Sequence, residues 1–285
     1  MTIRERAPAK TNLFLEVLGK RADGYHALDT VFVELSLADE LLVEPAPGLS
    51  LHVEGAPGLA REPDNLVLRA ARLLRERHGS PELGARLELF KRVPIGGGLG
   101  GGSSDAAAAL RALNTLWTLK LEPEQLVPLA AELGSDVAFF VRGGVQRGRG
   151  RGEELEILPP CPALPLVLLV PPFGCPTPAV FGALQGLIPT EPQTPDALLA
   201  ALPQGPQALA GAVFNRLESA ALRAFPALAE PLAALRGAPG VLAGWVSGSG
   251  STLIGLCASD ADAAKATALL RDKGHTVYRG QGGGA

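Results

Sequence analysis

The sequence predicts an α+β fold in two domains, and three observations lead there. Its 285 residues suit one large domain or two modest ones. Apolar residues make up 47% and charged residues 19%, so a substantial core is available. Both halves of the chain mix strands of antiparallel type with helices, which favours α+β over a parallel doubly wound sheet. A boundary near residue 155 gives domains at 1–155 and 156–285.

The elements follow in order. "TNLFLEV" (11–17), "TVFVELSL" (30–37) and "DELLVEP" (39–45) read as strands, with the charged loop "LGKRADGYHALD" between the first two. "DNLVLRAARLLRERHG" (64–79) reads as a helix that Asp64 can cap and Gly79 ends. "ARLELF" (85–90) alternates like a half-exposed strand. After a glycine run, Ala106, Leu110, Leu113 and Trp117 share one helix face. A second helix, 123–134, leads through Ser135 and Asp136 into the apolar "VAFFV". Residues 142–158 read as a glycine-rich hairpin, and the prolines at 159–160 and 171–172 bracket the strand "ALPLVLLV". A long alanine- and proline-rich helical region reaches about residue 240. "GWVSGSGSTLIGLC", a helix at 260–274 and the strand "HTVYRG" complete the chain, and the tail "GQGGGA" is expected to be disordered.

Charge and composition exclude several function classes. The net charge of −3 and pI near 5.9 argue against bulk attraction to nucleic acid or an anionic membrane. The arginines of "RGRGR" (147–151) read as a solvated hairpin. The longest apolar run, 163–170, is short and holds Pro165, so no bilayer span is expected, and the N-terminus carries no apolar signal segment. Three scattered cysteines without CxxC argue against a disulfide framework or zinc site and fit a reducing cytoplasm. The four histidines show no HExxH spacing.

The chemistry concentrates in "PIGGGLGGGSSDAAAAL" (94–110). Six of the seven residues 96–102 are glycine, although ordered glycine gives up more backbone entropy than any other residue. Ser103, Ser104 and Asp105 are good cap or first-turn residues for the alanine-rich helix that follows. A side-chain-free loop feeding a helix N-terminus aims backbone N–H groups and the positive dipole end at one point, which suits phosphate. It is no Walker A loop, because Ser103 rather than Lys follows the last glycine. Gly96, Gly98 and Gly101 match GxGxxG, but the preceding strand alternates, unlike the buried first strand of a dinucleotide-binding unit.

This loop resembles the ATP-binding motif of the GHMP kinases. "PAKTNLFLEVLGKRADGYHALDTVF" (8–32) resembles the N-terminal signature of the family branch that acts on a cytidine-diphosphate-linked methylerythritol. "VSGSGSTLIG" (246–255) resembles the family's third, glycine-containing motif. The resemblance implies a two-domain kinase, with an N-terminal domain like ribosomal protein S5 domain 2, a ferredoxin-like C-terminal domain and the active site in the cleft between them. ATP, with Mg²⁺, would phosphorylate the 2-hydroxyl of that substrate in non-mevalonate isoprenoid synthesis. The remaining expectations are a cytoplasmic monomer or weak homodimer with no nucleic-acid or membrane partner. The alternatives are a mevalonate-, phosphomevalonate- or homoserine-type kinase, and an idle GHMP-like binding module.

The resemblance also implies site residues. Asp136 would be the catalytic base, although alone it reads as a cap carboxylate. Lys10, which alone reads as a solvated surface lysine, would sit beside that base, where an ammonium favours the ionised carboxylate. ATP would contact Asn65, Pro94, Ile95, Gly96, Gly97, Gly98, Leu99, Gly100, Gly101, Gly102, Ser103 and Ser104, with Ser104 also reaching Mg²⁺. Tyr25 would stack on cytosine, His26 hydrogen-bond to it and Phe181 cover its other face. Asn12, Thr177, Gly248 and Ser249 would complete the substrate contacts. Asp105 replaces a frequent Asn, and Arg216 in "NRLE" reverses a charge; the sequence assigns chemistry to neither.

Overall fold

The computed structural model describes all residues except 57, 60–63, 189–190 and 284–285. Its first elements are β1 (Ile3–Lys20), β2 (His26–Pro45), β3 (Leu49–Glu54), α1 (Leu66–His78), β4 (Ala85–Phe90), α2 (Gly101–Leu116), α3 (Pro123–Leu133), α4 (Ser135–Arg142), β5 (Val145–Arg149) and β6 (Glu154–Ile157). There follow β7 (Leu164–Val170), α5 (Thr177–Gly182), α6 (Asp196–Ala201), α7 (Pro206–Leu209), β8 (Phe214–Asn215), α8 (Leu217–Ala224), α9 (Ala229–Arg236), β9 (Val241–Val246), β10 (Leu253–Cys257), α10 (Asp260–Asp272) and β11 (Thr276–Gly282). Two compact units emerge. Unit 1 comprises Met1–Ala9, Leu37–Ile95 and Gly100–Gly143; unit 2 comprises Lys10–Ser36, Gly96–Leu99 and Gly144–Ala285.

In unit 1, the end of β2 runs antiparallel to β4, from Glu40 opposite Phe90 to Pro45 opposite Ala85, and β3 pairs parallel to β4. Helix α2 packs against α1 and α4, and α3 against α4. Small side chains make this close approach possible: Ala106, Ala107, Ala108, Ala109 and Ala112 are all fully buried. Asn65, not Asp64, caps α1, accepting from Val67 N at 2.9 Å. Glu122 and Gln125 form a capping box at the start of α3.

In unit 2, β11, β7, β10 and β9 form an antiparallel series in that order, and β5 pairs with both β6 and the Thr30–Val33 stretch of β2. Val167 and Leu169 of β7 pack with Leu232, Leu235, Ala266 and Leu270 from α9 and α10, which builds the core on that sheet face. The sequence places disorder from residue 280 onward, but Gly280 and Gly282 are the last part of β11, paired with Leu166 and Leu164. Their missing side chains leave room for Leu168 and Leu166, whose methyl carbons would lie 3.4 and 3.1 Å from a Cβ at each position. Residues 284–285 of that tail fall outside the described residues. The strands expected at 30–37 and 39–45 are one continuous β2.

Candidate active site

Three bonds inside unit 2 fix the tip of the glycine loop. Lys10 N donates to Leu99 O at 2.9 Å, Thr252 N to Gly97 O at 3.1 Å, and Ser247 Oγ to Gly98 O at 3.1 Å. Gly98 has φ +75°, and a Cβ there would meet the Ser247 carbonyl oxygen at 2.2 Å, so only glycine fits. The segment holding this tip is the 247–251 turn, closed by Gly250 N donating to Ser247 O at 2.8 Å. Ser247 Oγ also shares a hydrogen with Thr11 Oγ1 at 3.0 Å, so one buried hydroxyl joins β1, the turn and the loop.

A pocket of about 440 Å³ opens at this junction, lined by Gly96, Gly98, Gly174, Thr177, Ser249 and Gly250 among others. The Thr177 and Ser249 hydroxyls hydrogen-bond to each other at 3.0 Å. Beside it, Lys10 Nζ donates to Asn12 Oδ1 at 3.1 Å and lies 5.4 Å from the Phe32 ring centroid. Lys10 is therefore no solvated surface lysine: it is 5% exposed, on a strand whose residues 7–17 are all buried. Asn12 Nδ2 donates to Thr30 Oγ1 at 2.7 Å, and that hydroxyl donates to Phe14 O, which orients the carboxamide. A Cβ on Gly248 would lie 3.6 Å from Asn12 Oδ1 and 3.7 Å from Lys10 Nζ.

His26 and Phe181 meet ring to ring, with centroids 4.8 Å apart and planes tilted by 31°. Burial, assisted by the charge of Lys20, lowers the His26 pKa. A neutral imidazole offers one donor and one acceptor. Tyr25 is 56% exposed, with the Arg151 guanidinium 5.0 Å over its ring.

The rest of the glycine loop belongs to unit 1. Of the cap or first-turn positions expected at 103–105, Ser103 and Ser104 lie in the first turn: α2 starts at Gly101, with Gly100 in the left-handed region at φ 70° and no side-chain cap. No side chain therefore satisfies the first-turn N–H groups. Ser104 Oγ is fully buried with no hydrogen-bond partner among the described residues. Pro94 and Ile95 lead into the loop, and Ile95 is exposed. Asn65 has both ends of its carboxamide engaged, by Val67 N and by Leu59 O. Asp136 lies in the first turn of α4, half-buried.

Asp105 finds a partner that sequence reasoning missed. Its Oδ2 accepts from Lys91 Nζ at 2.7 Å, and Lys91 also donates to Asp39, whose other oxygen accepts from the Arg92 and Val93 N–H groups. All three side chains are at most 5% exposed. Burial pushes Asp105 up to about 7, with Lys91 opposing that rise and Asp39 adding to it. Burial alone would lower Lys91, but Asp105 and Asp39 outweigh it and raise its pKa. Arg216 is explained in the same way. It pairs bidentately with the buried Glu16 at 2.7 and 2.8 Å. Burial raises the pKa of Glu16, yet the Arg216 bond and the Gln193 and Val17 N–H groups together hold it below the usual carboxylate range. Neither partner was legible, because Lys91 and Glu16 end or interrupt ordinary strand patterns.

A glycine-rich loop running into an uncapped helix start is an arrangement suited to phosphate, and comparison with known families points to a phosphate-handling protein. Residues 65–144 match the GHMP kinases N terminal domain and residues 198–276 the GHMP kinases C terminal domain. The chain belongs to the GHMP kinase family. A 4-diphosphocytidyl-2-C-methyl-D-erythritol kinase of Pelotomaculum thermopropionicum is 45% identical over 275 residues, covering 95% of this chain and 94% of that one. One of the same description from Rhodospirillum rubrum is 43% identical over 95% of this chain and 89% of that one. The crystal structure of a 4-(cytidine 5'-diphospho)-2C-methyl-D-erythritol kinase superposes with a TM-score of 0.84 at 40% identity, covering 99% and 100% of the two chains. A homoserine kinase from Cytophaga hutchinsonii shares the fold, with a TM-score of 0.75 at 23% identity and coverage of 98% and 94%.

Proposed function

We infer that this ATP-dependent kinase phosphorylates the 2-hydroxyl of 4-diphosphocytidyl-2-C-methyl-D-erythritol, a step in non-mevalonate isoprenoid precursor synthesis. The observation that carries the reading is the 40%-identical structural match over 99% of the chain, to an enzyme named for that substrate. Two features support the residue roles: the bonded glycine tip with its pocket, and the His26–Phe181 ring pair of the same unit. Among the described residues no helix is long and apolar enough to cross a membrane. The three cysteines are free and buried, in keeping with our proposal of a reducing cytoplasm. We further propose a monomer or weak homodimer.

In this reading the uncapped N–H groups of α2 and the positive-φ loop cradle phosphate oxygens, which need close backbone approach. Ser104 Oγ, buried and unpartnered, fits a magnesium or phosphate contact. Mg²⁺ keeps most of its own waters and needs few protein ligands, so one hydroxyl beside substrate phosphates is a sufficient anchor. When bound, the ion neutralises charge on the phosphates. Asn65 lines the adenine side. Asp136 accepts the proton of the attacking hydroxyl, and the Lys10 ammonium stabilises the charge on the transferring phosphoryl group. Asn12 orients Lys10 and contacts substrate, while Thr177, Gly248 and Ser249 position its phosphate and polyol portion. Tyr25 and Phe181 cover the cytosine faces, and His26 reads its edge. Kinetics of Asp136→Asn, Lys10→Met and the double variant test the catalytic pair. If the two act as a unit, the double variant is little worse than the poorer single one. Additive losses would contradict the pairing.

A further inference from the structure

Asn215 is the residue of "NRLE" that the reaction, as described so far, leaves unused, and every polar atom of its side chain is committed. The side chain is buried, with Asn215 8% exposed. Its Nδ2 donates to Val246 O at 2.7 Å and to Gly248 O at 2.8 Å, the two carbonyls that flank Ser247. Its Oδ1 accepts from Leu217 N at 2.9 Å. The backbone around it is fixed independently. β8 pairs parallel to β1 with Leu15 opposite Asn215, Arg216 N donates to Leu15 O at 2.8 Å, and the Arg216–Glu16 ion pair locks that register. A rigid carboxamide thus grips the turn whose Gly248 lies against Asn12 Oδ1 and Lys10 Nζ.

We propose that Asn215 is a positioning residue for phosphoryl transfer: it clamps the Gly248 carbonyl and so holds that backbone, and the Ser247–Gly98 bond beside it, against the Lys10–Asn12 pair. The proposal rests on the reading that Lys10 and the 247–251 turn serve the kinase reaction. Phosphoryl transfer runs on positioning, so a turn displaced by a fraction of an ångström costs turnover more than binding.

Asn215→Asp separates the clamp from the fold. The aspartate keeps an acceptor for Leu217 N, but has no donor for either carbonyl. Asn215→Ser serves as a second, uncharged variant without the clamp. For each, kcat, both KM values, the ATP-binding stoichiometry by calorimetry and the melting temperature are measured. The expected result is kcat lower by roughly 10- to 100-fold, with KM values within a few-fold and full binding stoichiometry. A kcat within two-fold of wild type in either folded variant overturns the proposal. So does a fall in kcat matched by lost ATP-binding stoichiometry, since that marks a folding defect, and so does failure of both variants to fold. Wild-type turnover is the reference: its absence with the cytidine substrate would overturn the proposed function, whereas the ratio of variant to wild type speaks to Asn215 alone.

Discussion

Residues 94–102 and 247–251 both rely on left-handed glycines, but the two segments present different surfaces. In the first, Gly96 has φ +70° with nothing within 4 Å of a would-be Cβ, and the segment ends in the uncapped first turn of α2. In the second, the polar groups turn inward. Ser247 bonds Thr11 and Gly98, Ser249 bonds Thr177, and Asn215 takes the Gly248 carbonyl. The first segment ends without a side-chain cap; the second, with its neighbour Thr252, holds Gly97 and Gly98 by hydrogen bonds to their carbonyls. Gly98 is where they meet, packed against the Ser247 carbonyl rather than kept open for phosphate. Glycine therefore plays two parts within one motif: a Cβ at Gly96 would meet nothing within 4 Å, whereas one at Gly98 would overlap the Ser247 carbonyl.

Substitutions can break that contrast, and the proposed catalytic base sets the upper end of the scale. Asp136→Asn keeps size and hydrogen bonding but cannot take a proton, so kcat is expected to fall by about 10²–10⁴-fold with the melting temperature little changed. Steady-state kinetics and a melting curve decide it; a folded variant within a few-fold of wild type would leave Asp136 as a first-turn carboxylate. Gly98→Ala is expected to lower both stability and ATP affinity, because its Cβ overlaps a backbone carbonyl. Overpacking of this kind costs about 1–3 kcal/mol. Gly96→Ala meets no protein atom and should lose only about 1 kcal/mol of stability from its positive φ, while its ATP affinity falls. Calorimetry on both variants sharpens the comparison. Equal melting temperatures in the two would erase the distinction between a held tip and an open one.

A smaller effect separates the nucleotide side from the cytidine side. Phe181→Ala removes the ring that meets His26 and should weaken the cytidine substrate by about 1–3 kcal/mol while ATP affinity stays the same. Measuring both KM values checks it, and an unchanged cytidine KM would move the base elsewhere.

The smallest effect concerns the Asp105–Lys91–Asp39 cluster. Asp105 is held up to about 7, above its ordinary value of 3.8. The folded chain therefore keeps a proton that the unfolded chain has released. That contribution to stability is present in full below about 3.8 and is lost as pH rises toward 7. Asp105→Asn, which keeps an acceptor for Lys91, should flatten the dependence of melting temperature between pH 5 and pH 8. A variant with the wild-type slope would place the proton on another group.

Much of this was legible in the sequence, for identifiable reasons. The helices at 101–116 and 260–272 carry strong amphipathic or alanine-rich patterns, and β4 and β7 alternate or run apolar between turn residues. The glycine loop announced itself by composition. Partnerships across long separations were not legible. Asp105 meets Lys91 and Asp39, Arg216 meets Glu16, and Asn215 meets Gly248, each pairing set by tertiary packing between segments far apart in the chain rather than by local pattern. The buried state of Lys10 was hidden for the same reason, since a lysine opening a strand usually reaches solvent. Gly101 and Gly102 read as loop, because glycine is a poor helix former, although α2 begins at Gly101.

The central claim is the choice of acceptor, and one assay addresses it most directly. ATP consumption is measured with the cytidine-diphosphate methylerythritol substrate beside mevalonate, homoserine and galactose. Turnover with the cytidine substrate, and none above background with the other three, is the predicted result. Turnover with mevalonate or homoserine and none with the cytidine substrate would contradict the account.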